Sequence, residues 1–173
     1  MPHRAPASEF RVELLGPQHD RGSFSCGIEA LDTYLRKQAR QDVNKRVAVA
    51  FVLTPDGRMI AGYYTLSQYS VELDAIPPET ARKLPRYPVV PATLIGRLAV
   101  STAFRSQGLG EVLLIDALKQ CLRGSKQVAS AAVIVDAKDD PAMAFYKKYG
   151  FLELPMIPKR LFLPMATIDQ LLR

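Results

Sequence analysis

The chain has 173 residues, of which 48% are hydrophobic and 23% charged. That mix suits one domain, residues 1–173, with a core of its own, and excludes a disordered or fibrous chain. No apolar run approaches the roughly 20 residues of a membrane-spanning helix, and the opening residues MPHRAPASEFRVE lack the apolar stretch of a secretory leader, so a cytoplasmic location and no membrane partner are expected.

The net charge of +6 attracts polyanions such as nucleic acid or nucleotides, although many cytosolic proteins are mildly basic. Cys26 and Cys121 match neither a metal-ligand spacing nor a disulfide framework, and both are expected as thiols. His3 and His19 both fall in the N-terminal stretch, which disfavours a zinc site or a His-based triad. No metal is expected.

Residues 1–23 are rich in Pro, Gly and charge, with one strand-like alternation at FRVELL. In GIEALDTYLRKQARQ, residues Ile28, Leu31, Leu35 and Ala39 recur at helical spacing, which predicts an amphipathic helix. Val47–Leu53 is a β-rich apolar run, Asp56-Gly57 is a hairpin signal, and Met59–Leu73 is the return strand. Residues 74–91 hold five prolines. Proline removes backbone donors, so a long surface connection is predicted, with Arg82, Lys83 and Arg86 on it.

Ala92–Val100 reads as a strand, STAFRSQG as a loop, and LGEVLLIDALKQCLR as a helix. On that helix Leu109, Leu113, Ala117 and Cys121 form an apolar stripe that Leu114 and Leu118 broaden. Val128–Ala137 reads as a buried strand. A short helix follows in DPAMAFYKKYG, with Asp140 as cap, Pro141 in its first position and Gly150 as terminator. FLEL and RLFLPM close the chain as strands. This order predicts an α/β or α+β domain with a mixed sheet and helices on its faces.

One stretch carries chemistry. RSQGLG, Arg105 to Gly110, lies between a strand and a helix. The first turn of a helix leaves N–H groups unpaired and carries partial positive charge. Glycines at 108 and 110 admit a ligand to the backbone, and Arg105 adds a charged fork. The result is an anion site, or an ordinary turn into a helix. A P-loop is excluded because Glu111-Val112 follows the second glycine, and a Rossmann fingerprint because Leu113 stands where its third glycine belongs.

GRLAVSTAFRSQGLG resembles the acetyl-CoA motif of the GNAT N-acetyltransferases, Arg/Gln-x-x-Gly-x-Gly/Ala, with Arg105, Gly108 and Gly110 in its three fixed positions. AMAFYKKYGF resembles the closing motif of that family at Phe145, Tyr146, Gly150 and Phe151. FSCGIEALDTYLRKQA resembles the opening of the GNAT-type toxins of toxin–antitoxin pairs, at Phe24, Cys26, Gly27, Leu31, Tyr34 and Leu35. GYYTLS, GRLAV and LFLPM are similar to strands of the same toxins. One departure is Ser25, where many relatives carry aspartate.

The resemblance implies a GNAT fold, with a mixed, mostly antiparallel central sheet flanked by helices. It implies acetyl-CoA as co-substrate, held by Leu98, Ala99, Val100, Arg105, Ser106, Gln107, Gly108, Leu109, Gly110 and Phe145. The implied acceptor is the α-amino group of an aminoacyl-tRNA, whose acetylation stops translation. The implied partner is a ribbon-helix-helix antitoxin, through which alone operator DNA would be bound, and a homodimer is compatible with the family.

The chemistry is consistent with that acceptor. An α-amino group titrates near 7.7–8.0, lower beside an ester, so it is largely neutral at cytosolic pH and needs no strong base. The leaving thiolate needs a proton. The resemblance implies Tyr146 as the general acid, with Tyr149 its rival one turn on, and backbone N–H groups around Leu98–Val100 suit an oxyanion. Tyr146 as a plain core aromatic is the competing reading.

Arg97, on the cofactor strand, either pairs with a carboxylate or touches substrate. Asp136 is expected to be structural. Arg40, Lys45, Arg46 and Arg86 are candidate tRNA contacts, together with Lys37, Arg82, Lys83, Lys159 and Arg160, against the alternative of a solvated charged face. Two other functions stay open: a GNAT enzyme acting on a small amine or a protein, and a non-catalytic module that binds RNA or a repressor.

Overall fold

The computed structural model describes residues 9–173; His3 lies outside them. Strand β1 (Arg11–Leu14) is followed by helix α1 (Glu29–Thr33), which runs through a π-helical turn (Tyr34–Gln38) into α2 (Ala39–Asn44). Next come β2 (Val49–Thr54), β3 (Gly62–Glu72), a short helix α3 (Pro78–Ala81), β4 (Val89–Val100) and the long helix α4 (Leu109–Ser125). The chain ends with β5 (Ala132–Asp136), α5 (Asp140–Lys148), β6 (Leu152–Glu153), β7 (Arg160–Pro164) and α6 (Met165–Leu171).

Among the described residues seven strands form one sheet in the order β1-β2-β3-β4-β5-β7-β6. The pairs β1/β2, β2/β3, β5/β7 and β6/β7 are antiparallel, and β4/β5 is parallel. A parallel pair needs a long crossover, and α4 supplies it. The sheet is therefore mixed and mostly antiparallel, with helices flanking it, as expected from the order of elements.

Contacts divide the chain into two compact units. The first holds the described residues through Ser67 and Gly96–Ala117. Its core gathers Phe24, Leu35, Ala39, Val52, Tyr63 and Ala99. The helical spacing of Leu35 and Ala39 delivers both to this cluster, each fully buried. In the hairpin, the Asp56 carboxylate accepts the N–H groups of Arg58 (2.9 Å) and Met59 (2.8 Å), and these bonds hold its pKa below the ordinary value. Gly57 takes φ +84°, a left-handed conformation that favours glycine.

His19 is buried and structural. Its Nδ1 accepts the Gly16 N–H (2.9 Å), so Nε2 carries the proton and donates to Glu13 at 2.6 Å. That bond is the main reason the Glu13 carboxyl sits below its usual range.

The second unit holds Gln68–Ile95 and Leu118–Arg173. Its core contains Val71, Ile76, Val90, Ala92, Ile134, Leu154 and Phe162. Residues Ala132–Val135 are all buried, as a near-continuous apolar strand with covered faces should be. Burial alone pushes the Cys121 thiol up to about 12, and neither cysteine is in a disulfide.

Several expectations needed correction. The connection 74–91 is not purely a surface loop: it contains α3, and Ile76 packs into the core with Ala81 and Leu84 against it. Apolar residues between the prolines pull the backbone inward, and Pro78 starts the short helix where its missing N–H costs nothing. The strand expected from Val128 begins at Ala132, because Val128 is 63% exposed and its N–H closes the end of α4 on Gly124. The α5 cap is Asp139, not Asp140: its Oδ1 accepts the Ala142 N–H at 2.8 Å. Pro141 is then the second helical residue. Gly150, at φ +97°, ends the helix as expected. Helix α6 was not anticipated.

The corrected cap is testable. Asp139→Ala is expected to lower unfolding free energy by about 1 kcal/mol in urea titrations, whereas Asp140→Ala, losing only a first-turn charge, costs about 0.5 kcal/mol or less. Equal effects would count against the Asp139 cap.

Candidate active site

The loop between β4 and α4 has the geometry of an anion cradle. β4 ends at Val100, the buried Ser101 caps a 3-10 turn (Thr102–Phe104), and Arg105 is extended. Ser106 and Gly108 then take φ +65° and +72°. Such reversals turn successive N–H groups toward one concavity. Helix α4 begins at Leu109, and its first intrahelical bond runs from the Val112 N–H to the Gly108 carbonyl, so the first-turn N–H groups of residues 109–111 have no intrahelical acceptor and can serve a ligand. A Cβ at Gly108 would meet no atom within 4 Å. Glycine is demanded there by conformation, and the space beside it is open. Leu109 is buried and roots the helix start.

The Arg105 fork has a second job. Its Nη2 donates to the Cys26 carbonyl at 2.9 Å, and the Thr102 N–H donates to the Ser25 carbonyl at 2.8 Å. The loop is thus tied to residues nearly 80 positions earlier. Gly27 makes this possible: it takes φ +86°, and a Cβ there would lie 2.9 Å from Arg105 Nη2. Cys26 is held in turn by Asp32, whose Oδ1 accepts the Cys26 N–H at 2.8 Å. Sequence spacing carried no signal for this link beyond the Cys-Gly pair itself.

Along β4, Leu98 and Val100 are half-buried and Ala99 is buried. A Cβ on Gly62 would come within 2.9 Å of the Ala99 carbonyl and 2.7 Å of Leu113 Cδ1, so glycine is needed at the start of β3. Gly110 lies in the first turn of α4 and Gln107 just before it.

In the second unit, Tyr146 on α5 is only 6% exposed. Its ring packs edge-on against Phe145 (5.2 Å) and Phe151 (5.5 Å), which fixes its direction. Burial pushes its phenol above the ordinary tyrosine value. Among the described residues the Tyr146 hydroxyl has no hydrogen-bond partner, yet no side-chain N or O is sealed from solvent unsatisfied. The hydroxyl therefore opens onto accessible space. Tyr149 is half-exposed, caps α5, and lies near the Lys148 ammonium.

Among the described residues Arg97 forms no ion pair. Its guanidinium lies on the Tyr34 ring, 3.4 Å from the centroid, as cations do over aromatic faces. Arg40, Lys45 and Arg46 are exposed in the first unit, and Arg82, Lys83, Arg86 and Lys159 in the second. Arg160 is withdrawn from the candidate tRNA contacts. It grips Asp136 through Nε (2.6 Å) and Nη2 (2.9 Å) and also bonds the Tyr69 hydroxyl, contacts that agree with a structural part for Asp136. Among the described residues no group of three or more His, Cys, Asp or Glu is placed to hold a metal, and no helix is long and apolar enough to cross a membrane.

A mixed sheet whose central strand feeds such a cradle defines an acyl-CoA-type transferase fold, and the family description "Acetyltransferase (GNAT) family" matches residues 19–151. The chain belongs to that family. It is 32% identical to the probable toxin TacT of Sinorhizobium fredii, over 96% of this chain and 97% of that one. It is 37% identical to a tRNA-acetylating toxin of Mycobacterium tuberculosis, over 88% and 90%. AtaT complexed with acetyl-methionyl-tRNAfMet superposes with a TM-score of 0.88 at 29% identity, covering 95% of this chain and 99% of that one. A tyrosine-to-phenylalanine mutant of AtaT, bound to the C-terminus of the antitoxin AtaR and acetyl-CoA, gives 0.79 at 26% identity, over 95% and 98%.

Gly27→Ala is expected to destabilise the protein by about 1–2 kcal/mol through the left-handed backbone alone, with further loss as Arg105 is displaced. A urea midpoint unchanged from wild type would rule out the link described.

Proposed function

We propose that this chain, as a single GNAT domain in the cytoplasm, transfers the acetyl group of acetyl-CoA to the α-amino group of an aminoacyl-tRNA. The blocked amino acid cannot accept a growing peptide, so translation stops and the protein acts as a toxin. An antitoxin of the kind seen with AtaT neutralises it. The observation that carries this reading is the open space at Gly108 beside the α4 N-terminus, taken with near full-length similarity to a tRNA-acetylating toxin.

The residues divide the work. N–H groups at residues 108–110 and the remaining Arg105 donors bind the cofactor's pyrophosphate. Backbone N–H groups at Leu98–Val100 hold the thioester oxygen as negative charge builds on it. The acceptor amine attacks as the neutral base, a C–N bond forms, and the C–S bond breaks. Tyr146 donates its hydroxyl proton to the departing thiolate, and the amine's surplus proton leaves to solvent or to the phenolate. A buried phenol with raised pKa stays protonated at neutral pH, as this role demands.

Two measurements test the assignment. Incubation with acetyl-CoA and a pool of charged tRNAs should yield acetylated aminoacyl-tRNA; activity on a free amine alone would favour a small-molecule acetyltransferase. Tyr146→Phe should bind acetyl-CoA normally and lose about 10²–10⁴ in turnover; near-normal turnover would remove Tyr146 from the chemistry.

The pH profile follows from the signs. Activity should rise as the acceptor amine deprotonates below about 8. It should then stay flat past about 10, the ordinary tyrosine value, because the Tyr146 phenol is shifted upward and remains an acid. A descending limb at pH 8–9 that Tyr146→Phe abolishes would contradict this.

A further inference from the structure

We infer that Arg97 is a phosphodiester-binding residue for the 3′ end of the tRNA acceptor, presented by a device built from the π-helical turn, Tyr34 and Asp42. The inference rests on the tRNA reading above and adds a contact to it.

A half-exposed arginine usually points at a carboxylate. Arg97 instead lies flat on Tyr34 at 3.4 Å. Among the described residues it makes no hydrogen bond or ion pair, so the donor edge of the guanidinium is left for a ligand. Stacking fixes the plane of the fork without consuming its donors, which matches bidentate binding to phosphate oxygens.

Tyr34 is itself immobilised. Its hydroxyl donates to Asp42 Oδ2 at 2.8 Å, and its ring stacks near Tyr63, whose hydroxyl donates to the Leu31 carbonyl at 2.7 Å. Burial, then the bond to Asp42, pushes the Tyr34 phenol up to about 12, so it remains a donor. The turn that carries Tyr34 is wound with the Ala39 N–H donating to the Tyr34 carbonyl five residues back. Such π turns cost helix regularity and recur at functional positions.

Asp42 lies within electrostatic range of Arg97 but takes none of its donors: its Oδ1 accepts from Gln38 (2.8 Å) and its Oδ2 from Tyr34. Lys37, Arg40, Lys45 and Arg46 are exposed on the same helical stretch, and none makes an ion pair among the described residues. A strand of phosphates crossing this stretch would meet cations first and the oriented Arg97 fork at the cofactor strand.

The test compares two acceptors, charged tRNA and an aminoacyl ester of adenosine without a 5′-phosphate. Arg97→Gln keeps a planar group for Tyr34 and should melt like wild type. Its KM for charged tRNA should rise about tenfold. The salt slope of log kcat/KM should shrink by roughly 0.7, the value for one single-strand phosphate. Turnover of the phosphate-free ester should stay unchanged. Tyr34→Leu should raise KM for tRNA in the same direction, and the double variant should be no worse than Arg97→Gln alone.

Equal losses on both acceptors, an unchanged salt slope, or strictly additive variants would overturn the phosphate contact. Wild-type protein that acetylates neither acceptor would overturn the tRNA reading itself, a result separable from the first because it needs no variant.

Discussion

The bond from Arg105 to the Cys26 carbonyl is the constraint on which the candidate cofactor site depends. A Gly-rich loop before a helix has many conformations, and conformational entropy opposes any single one. Here one guanidinium nitrogen and one backbone N–H, that of Thr102, pin the loop to residues 25–26. Gly27 must be glycine for the pin to fit, and Asp32 holds the segment from the other side. The loop is thereby organised before any ligand arrives, which is how a cradle avoids losing binding energy to ordering.

The same economy governs the two side chains assigned to chemistry and recognition. Tyr146 is aimed by aromatic edges and Arg97 by an aromatic face. In both cases apolar packing sets direction while the polar end is left without a protein partner among the described residues. Where the protein needs an arginine for structure, it does the opposite: Arg160 is saturated by Asp136 and Tyr69, stitching β5 to β7 at registered positions. The distinction between a structural and a functional cation therefore lies in donor occupancy, which charge counting does not reveal.

Burial raises the pKa of groups that ionise to anions. The phenols of Tyr34 and Tyr146 and the Cys121 thiol are all pushed up mainly by desolvation, so the neutral protonated forms prevail. A transferase whose acceptor amine is already largely neutral needs a proton donor more than a base, and a buried tyrosine supplies one.

Periodicity was enough to read the order of elements, the apolar stripe of α4 and the buried run of β5, because period 3.6 and continuous apolarity report one helix face and a doubly covered strand. The motif Arg105-x-x-Gly108-x-Gly110 was legible because helix N-termini and glycine act locally. The cap at Asp139, the helix α3 with buried Ile76, the late start of β5 and helix α6 were not, since each depends on which neighbour a residue meets. The Arg105–Cys26 link spans nearly 80 residues, and Arg97 chose Tyr34 over any carboxylate only once β4 and the π turn were adjacent. Local chemistry identifies the loop, whereas partner choice is a property of three-dimensional proximity, which a one-dimensional pattern does not contain.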